Sequence, residues 1–174
     1  MKDFNLLIST SRFNEINAKA ELWFTLLICG DKYPIISDLE FSGLIVALTN
    51  LDIVAVIKKI KSILKNDPEF FQYILKIVPI NFVCETNIEV IKQIIQQKYL
   101  EFLKPNESFK LKLKRRKNEL IERDQFINVV TKNINNRVDL SHPDKIIRIE
   151  VLGNFSGISF VEKDDIIRTP NKNV

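Results

Sequence analysis

Glycine is scarce in this chain, and its scarcity excludes most of the loops that cradle nucleotides. The glycines are Gly30, Gly43, Gly153 and Gly157, too few and too scattered for a Walker loop or a GxGxxG turn. Histidine is scarcer still. His142 is the single imidazole, so no second one is available for a metal site or a proton relay; followed by Pro143, it reads as a turn residue. Cys29 and Cys84 lie far apart in apolar runs, with neither the spacing of metal ligands nor the density of a disulfide scaffold, and read as small buried hydrophobes. No HExxH, CxxC, GxSxG or HxE signature occurs. Glu119, Glu122 and Asp124 cluster, but carboxylates at that point more simply start a helix. An activity built from these residues would lack its parts, and no catalytic group, cofactor or metal is expected. Long apolar runs are missing as well: Asp3, Arg12, Glu15 and Lys19 interrupt the opening residues, which leaves no signal peptide or membrane span. A reducing, cytoplasmic setting is the expectation.

What is present is a folding chain. At 174 residues, 45% hydrophobic and 28% charged, it matches one domain or two small ones and excludes wholesale disorder. The net charge of +4 is unevenly spread. Residues 1–86 carry 9 Lys+Arg against 10 Asp+Glu, whereas residues 87–174 carry 17 against 12. The half suited to a polyanion is the second.

Hydrophobic spacing divides the chain into alternating elements. Residues 4–11 read as a strand, and 14–28 as a helix with Ile16, Ala20, Trp23 and Leu27 at helical spacing. Two extended runs, 34–41 and 44–49, meet at Ser42-Gly43, a turn-forming pair. With Asn50 as N-cap, a second helix carries Ile53, Val56, Ile57, Ile60 and Leu64 on one face and ends before Pro68. Residues 71–80 close a β-α-β-β-α-β order, which is ferredoxin-like. The second half opens with Thr86-Asn87-Ile88-Glu89 as a capping box and a single helix over 86–103, apolar along Ile88, Ile91, Ile95, Tyr99 and Phe102. Residues 108–116 alternate, Phe109, Leu111 and Leu113 facing one way and Ser108, Lys110, Lys112, Lys114 and Arg116 the other. A helix over 122–136 stops at Asn135-Asn136, and strands 145–152 and 155–162 join through Gly153-Asn154. The tail after Thr169 is expected to fray.

Certain strings in this order resemble a known family. They are Ser11-Arg12-Phe13, Glu21-Leu22-Trp23, Gly30-Asp31, Ser42-Gly43-Leu44, Pro79-Ile80, the basic run Lys112-Leu113-Lys114-Arg115-Arg116, Val138-Asp139-Leu140, His142-Pro143-Asp144 and Gly157-Ile158-Ser159. Across residues 3–168 the chain resembles the THUMP-containing adaptor proteins that assist a tRNA cytidine acetyltransferase. The resemblance implies an α/β (α+β) protein, with an N-terminal ferredoxin-like domain over 1–80 followed by a THUMP domain over 81–169, then a frayed 170–174. It further implies a basic THUMP surface that holds the acceptor end of tRNA, and an RNA cytidine acetyltransferase as partner. Departures exist: the helix pair expected to open a THUMP domain reads here as one helix, and the extra terminal segments of longer members have no counterpart. With no Gly/Ser/Pro-rich spacer between them, the domains are expected to pack closely.

The candidate RNA-binding residues are Lys110, Lys112, Lys114, Arg115, Arg116 and Lys117, joined by Arg137, Lys145 and Arg148. Such cations supply affinity for phosphates without reading sequence; the plainer reading is a solvated sheet face, or an edge strand whose lysines discourage aggregation. Arg12 could reach a phosphate or pair with Glu15. Lys58, Lys59, Lys61 and Lys65 form the polar side that any amphipathic helix shows. Gly157 serves backbone geometry before any contact with RNA. The reading is a non-catalytic adaptor that presents tRNA for acetylcytidine formation. Its rivals are a small RNA-modifying enzyme and a protein-interaction module without an RNA ligand.

Overall fold

The computed structural model describes residues 3–116 and 122–169, with Arg123 described by its backbone alone. Its elements are β1 (Leu6–Thr10), α1 (Glu15–Cys29), β2 (Ile35–Asp38), β3 (Leu44–Leu48), α2 (Ile53–Asn66), β4 (Ile74–Pro79), β5 (Phe82–Glu85), α3 (Ile88–Phe102), β6 (Phe109–Arg116), α4 (Arg123–Thr131), β7 (Lys145–Leu152), β8 (Phe155–Val161) and β9 (Ile167–Arg168). They form two units: the first runs to Pro79 and resumes at Asp165, and the second is Ile80–Asp164.

In the first unit the sheet order is β2-β3-β1-β4-β9, with β1 antiparallel to both β3 and β4. Its first four strands and two helices realise the ferredoxin-like order. The turn into β3 depends on Gly43: its φ is +77°, and a Cβ there would lie 2.8 Å from the Thr10 carbonyl oxygen, a position closed to other residues on both counts. Leu6 and Ile8 of β1, Ile45 and Ala47 of β3, and Val56, Ile57 and Ile60 of α2 meet in one core. Each large aliphatic side chain buried there contributes about 1.5–3 kcal/mol. The N-cap of α2 is Asp52, which accepts the Ala55 N–H at 3.0 Å, rather than Asn50.

The spacing in α1 points to the wrong face. The core side consists of Ala18, Leu22, Thr25 and Leu26, while Ile16, Ala20 and Trp23 are exposed. Apolar residues occupy both sides of this helix, so periodicity alone could not select the buried one. The end of the chain also departs from expectation. The second domain read to 169, but Ile167 and Arg168 pair with Ile77 and Lys76 of β4 in the first sheet; a strand of two residues has no period to read. The tail 170–174 lies outside the described residues.

The second unit has the sheet order β5-β8-β7-β6, in which β6 runs parallel to β7 and the other pairings are antiparallel. The α4 crossover between β6 and β7 is what a parallel pair requires. Ile91, Ile95 and Tyr99 of α3 and Phe126 and Val130 of α4 cover Phe109, Ile147, Ile149, Val151, Ile158 and Phe160 on one face. The single opening helix is as read, but its cap differs: Asn87 accepts the N–H groups of Glu89 and Val90, while the Thr86 hydroxyl pairs with that of Ser156. Helix α4 ends at Thr131, short of Asn135-Asn136. Asn136 instead donates its side-chain amide to the carbonyls of Lys104 and Glu107 at 2.7 and 2.9 Å, pinning the approach to β6. β5 was not read from the sequence, because four residues directly ahead of a helix cap carry little period of their own. Gly157 sits where a Cβ would approach the Ile80 side chain at 3.2 Å, consistent with its structural reading.

Candidate nucleic-acid interface

The basic residues of the second unit are organised by β6. This strand is the outer member of its sheet, and its even-numbered positions place Lys110, Lys112, Lys114 and Arg116 in register with Ile146, Arg148, Glu150 and Leu152 of β7. Over the six residue steps from Lys110 to Arg116 a strand rises roughly 20 Å, so the two ends of the row are separate sites.

At the start of β6 most of the cations are engaged. The Phe109 N–H donates to the Arg137 carbonyl, and the Asp139 N–H to the Phe109 carbonyl, which draws the 137–144 loop alongside the strand. There Lys110 donates to the Leu140 carbonyl at 3.3 Å, Lys145 pairs with Glu162 at 2.7 Å, and the largely exposed Arg137 stands 3.7 Å from Asp139. Two carboxylates hold the loop in shape. Asp139 accepts the N–H groups of His142 and Ser141, and Asp144 accepts both the N–H and the hydroxyl of Ser108; these donors hold the two carboxyls below their ordinary values. His142 is thus an exposed residue in a turn closed by Asp139.

At the far end Lys114, Arg115 and Arg116 are exposed, whereas Lys112 is half-buried. Arg115 belongs to the odd-numbered side of the strand, so the alternation read for 108–116 continues to its end in geometry but not in polarity. Lys117 lies outside the described residues, as does Glu119.

Arg148 must be removed from the surface. Its relative exposure is 1%, and its Nε donates to Glu150 at 2.6 Å, with a second contact from its terminal nitrogen. The two side chains lie on the same side of β7, two residues apart, as strand geometry requires. A signal for this was present in the sequence: opposite charges at alternate positions inside an apolar strand form a pair more readily than a patch. Arg12 is exposed, and it has no ion pair with Glu15, whose carboxylate accepts the Gly43 N–H at 2.6 Å. On α2, Lys61 stands 3.7 Å from Asp165, while Lys58, Lys59 and Lys65 are exposed.

Burial pushes both thiols up, that of Cys84 to about 11 with the Glu85 charge assisting, so neither is a thiolate at neutral pH. Among the described residues no three His, Cys, Asp or Glu side chains come together as a metal site, and no helix is long and apolar enough to cross a membrane.

Residues 85–161, which lie within the second unit, match the family model of the THUMP domain. A THUMP domain-containing protein 1 homolog from Drosophila melanogaster is 33% identical over 97 residues, taking in 52% of this chain and 30% of the fly protein. The chain therefore spans less than a third of that relative. Among solved structures, PH1313 from Pyrococcus horikoshii Ot3 superposes with a TM-score of 0.66 at 18% identity, over 95% of this chain and 55% of that one. A 4-thiouridine synthetase solved with RNA and ATP superposes with a TM-score of 0.56 at 15% identity, over 95% of this chain and 42% of that one. Likeness at these identities concerns the fold.

Proposed function

We propose that this chain binds tRNA along β6 and presents it to a separate RNA cytidine acetyltransferase, without carrying out chemistry itself. The observation that carries the reading is the exposed group Lys114, Arg115 and Arg116 at the end of an outer strand, inside a segment that matches the THUMP model. Cations on a rigid strand suit a phosphate backbone: they fix its position and orientation without selecting sequence. The Arg137 side of the 137–144 loop extends the same row toward the other end of β6, which gives the acceptor end of a tRNA more than one point of attachment. Holding the RNA in one orientation raises its effective concentration at the partner enzyme, and that positioning is the whole of the catalytic contribution. A related fold that was solved in complex with RNA supports the same assignment.

The test is reconstitution. The purified chain, tRNA and an acetyl donor should yield no acetylcytidine, and adding the cytidine acetyltransferase should yield it at a rate that this chain stimulates. A chain with Lys114, Arg115 and Arg116 all changed to Glu should give no stimulation. Nucleoside mass spectrometry reads the outcome. Product formed by the chain alone would reveal an active site, and equal yields with and without it would remove the adaptor role.

A further inference from the structure

The side of the second sheet turned away from α3 and α4 carries a charged pair inside a largely apolar strand. Arg148 and Glu150 of β7 are both buried there. Directly opposite Arg148 stands Lys112 of β6, and directly opposite Glu150 stands Lys114; Lys112 and Arg116 lie diagonal to Glu150. Residues opposed across a ladder share a face. On this face of β6, β7 and β8, Glu150 is the single carboxylate among the described residues. The remaining charges on it are all positive.

Stability does not account for the pair. Taking two charges out of water costs about what their attraction returns, and Arg148 also leaves its buried Nη1 without a hydrogen-bond partner among the described residues, a further cost. What the pair does accomplish is to cancel a charge beside the cation row. Like charges opposed across a ladder repel, yet Lys112 is half-buried opposite Arg148. Arg148 donates to Glu150 Oε1 through Nε at 2.6 Å and again through a terminal nitrogen, which removes the repulsion at its source.

We infer that Glu150 is a positioning residue for RNA: without touching the ligand, it keeps Arg148 from driving β6 away and so holds Lys114, Arg115 and Arg116 on an ordered strand. The inference rests on the proposed binding of tRNA along β6. As the outer member of its sheet, β6 has β7 as its single neighbouring strand, and a strand paired on one side opens more readily than a central one.

Two accounts of Glu150 predict opposite signs. As a negative charge near a cationic surface it should oppose a polyanion, and Glu150→Gln should tighten tRNA binding. As a positioning residue it supports binding, and the same change should weaken it by about tenfold or more, although the chain has become more positive.

Titration of the whole chain with one tRNA at fixed salt, under conditions where circular dichroism shows each variant folded, reads the sign. Arg148→Met should also weaken binding, because Glu150 is then left to pair with Lys114. Changing Arg148 and Glu150 together to Met removes both charges at similar volume, so binding should return close to the parent's and the two single losses should not add. Should Glu150→Gln fail to fold, Arg148→Met and the double change carry the comparison. Amide exchange should locate the damage, with the N–H groups of β6 exchanging faster in Glu150→Gln while those joining β7 to β8 stay protected. Binding by Glu150→Gln equal to or tighter than the parent's overturns the inference and leaves tRNA on β6 in place. A double change that binds as poorly as the single ones overturns it equally. A parent chain with no affinity for tRNA overturns the reading beneath it, and the inference with it.

Discussion

Helices α1 and α3 both have 15 residues and pack on the sheets of their own units, yet they read very differently from sequence. In α3 the spaced positions Ile91, Ile95 and Tyr99 are the buried ones. In α1 the spaced positions Ile16, Ala20 and Trp23 face solvent, and the core takes Ala18, Leu22, Thr25 and Leu26. The helices differ in what lies opposite the apolar row. Lys92, Gln93 and Gln97 of α3 leave its far side polar, whereas α1 is apolar on both sides and gives the period two solutions. A surplus of apolar residues thus obscures the core and marks a surface. The two units divide their exposed chemistry accordingly, with aromatic and aliphatic side chains along α1 in the first and cations along β6 in the second.

The sharpest test of that division compares two arginines on neighbouring strands. Arg148 is buried against Glu150, and Glu150→Ala should strand its charge and cost about 3–5 kcal/mol. Neutralising the exposed Arg116 should change stability by no more than about 0.5 kcal/mol. Urea unfolding of the two variants measures both. Similar losses would mean that Arg148 and Arg116 share one environment.

A smaller effect separates the faces of α1. Leu22→Ala should cost about 2–5 kcal/mol through the cavity it leaves, whereas Ile16→Ala should fall within about 0.5 kcal/mol. Thermal denaturation decides between them, and the reverse ranking would restore the core face that the spacing first suggests.

The smallest effect concerns acid. Asp144 is held below its ordinary value of 3.8 chiefly by the Ser108 N–H and then by the Ser108 hydroxyl. A lowered carboxyl lends stability that is complete above the unfolded-state value and is lost as the pH falls through the folded one. Asp144→Asn should therefore be less stable than the parent at neutral pH, and the gap should close below the carboxylate range. Denaturant midpoints across that pH span measure it; a gap that widens in acid would contradict the assignment.

Much of the fold was legible because strong periods and turn chemistry coincide. Gly43 and Gly153-Asn154 each mark a hairpin, α2 and α3 show one apolar face, and Phe109, Leu111 and Leu113 identify a half-buried strand. The missing pieces lack that coincidence. β5 and β9 are too short for alternation to register, and the caps at Asp52 and Asn87 compete with equally good neighbours in Asn50 and Thr86. The candidate site was legible as a run of charge but not as a surface. Which cations are engaged depends on Leu140, Asp139 and Glu162, brought in from the following loop and strand, and the burial of Arg148 depends on its position in a central strand of the sheet.

The account stands most directly on a titration of the chain with one tRNA at low and at physiological salt, alongside two triple variants. Lys114, Arg115 and Arg116 changed to Glu remove the exposed end of β6; Lys58, Lys59 and Lys65 changed to Glu remove an equal charge from α2. Binding by the parent should weaken steeply with salt, because each phosphate neutralised releases counterions. The β6 variant should lose most of the affinity and about 3 units of the salt slope, and the α2 variant should stay close to the parent. Affinity indifferent to salt, or an equal loss in both variants, would contradict the placement of RNA on β6.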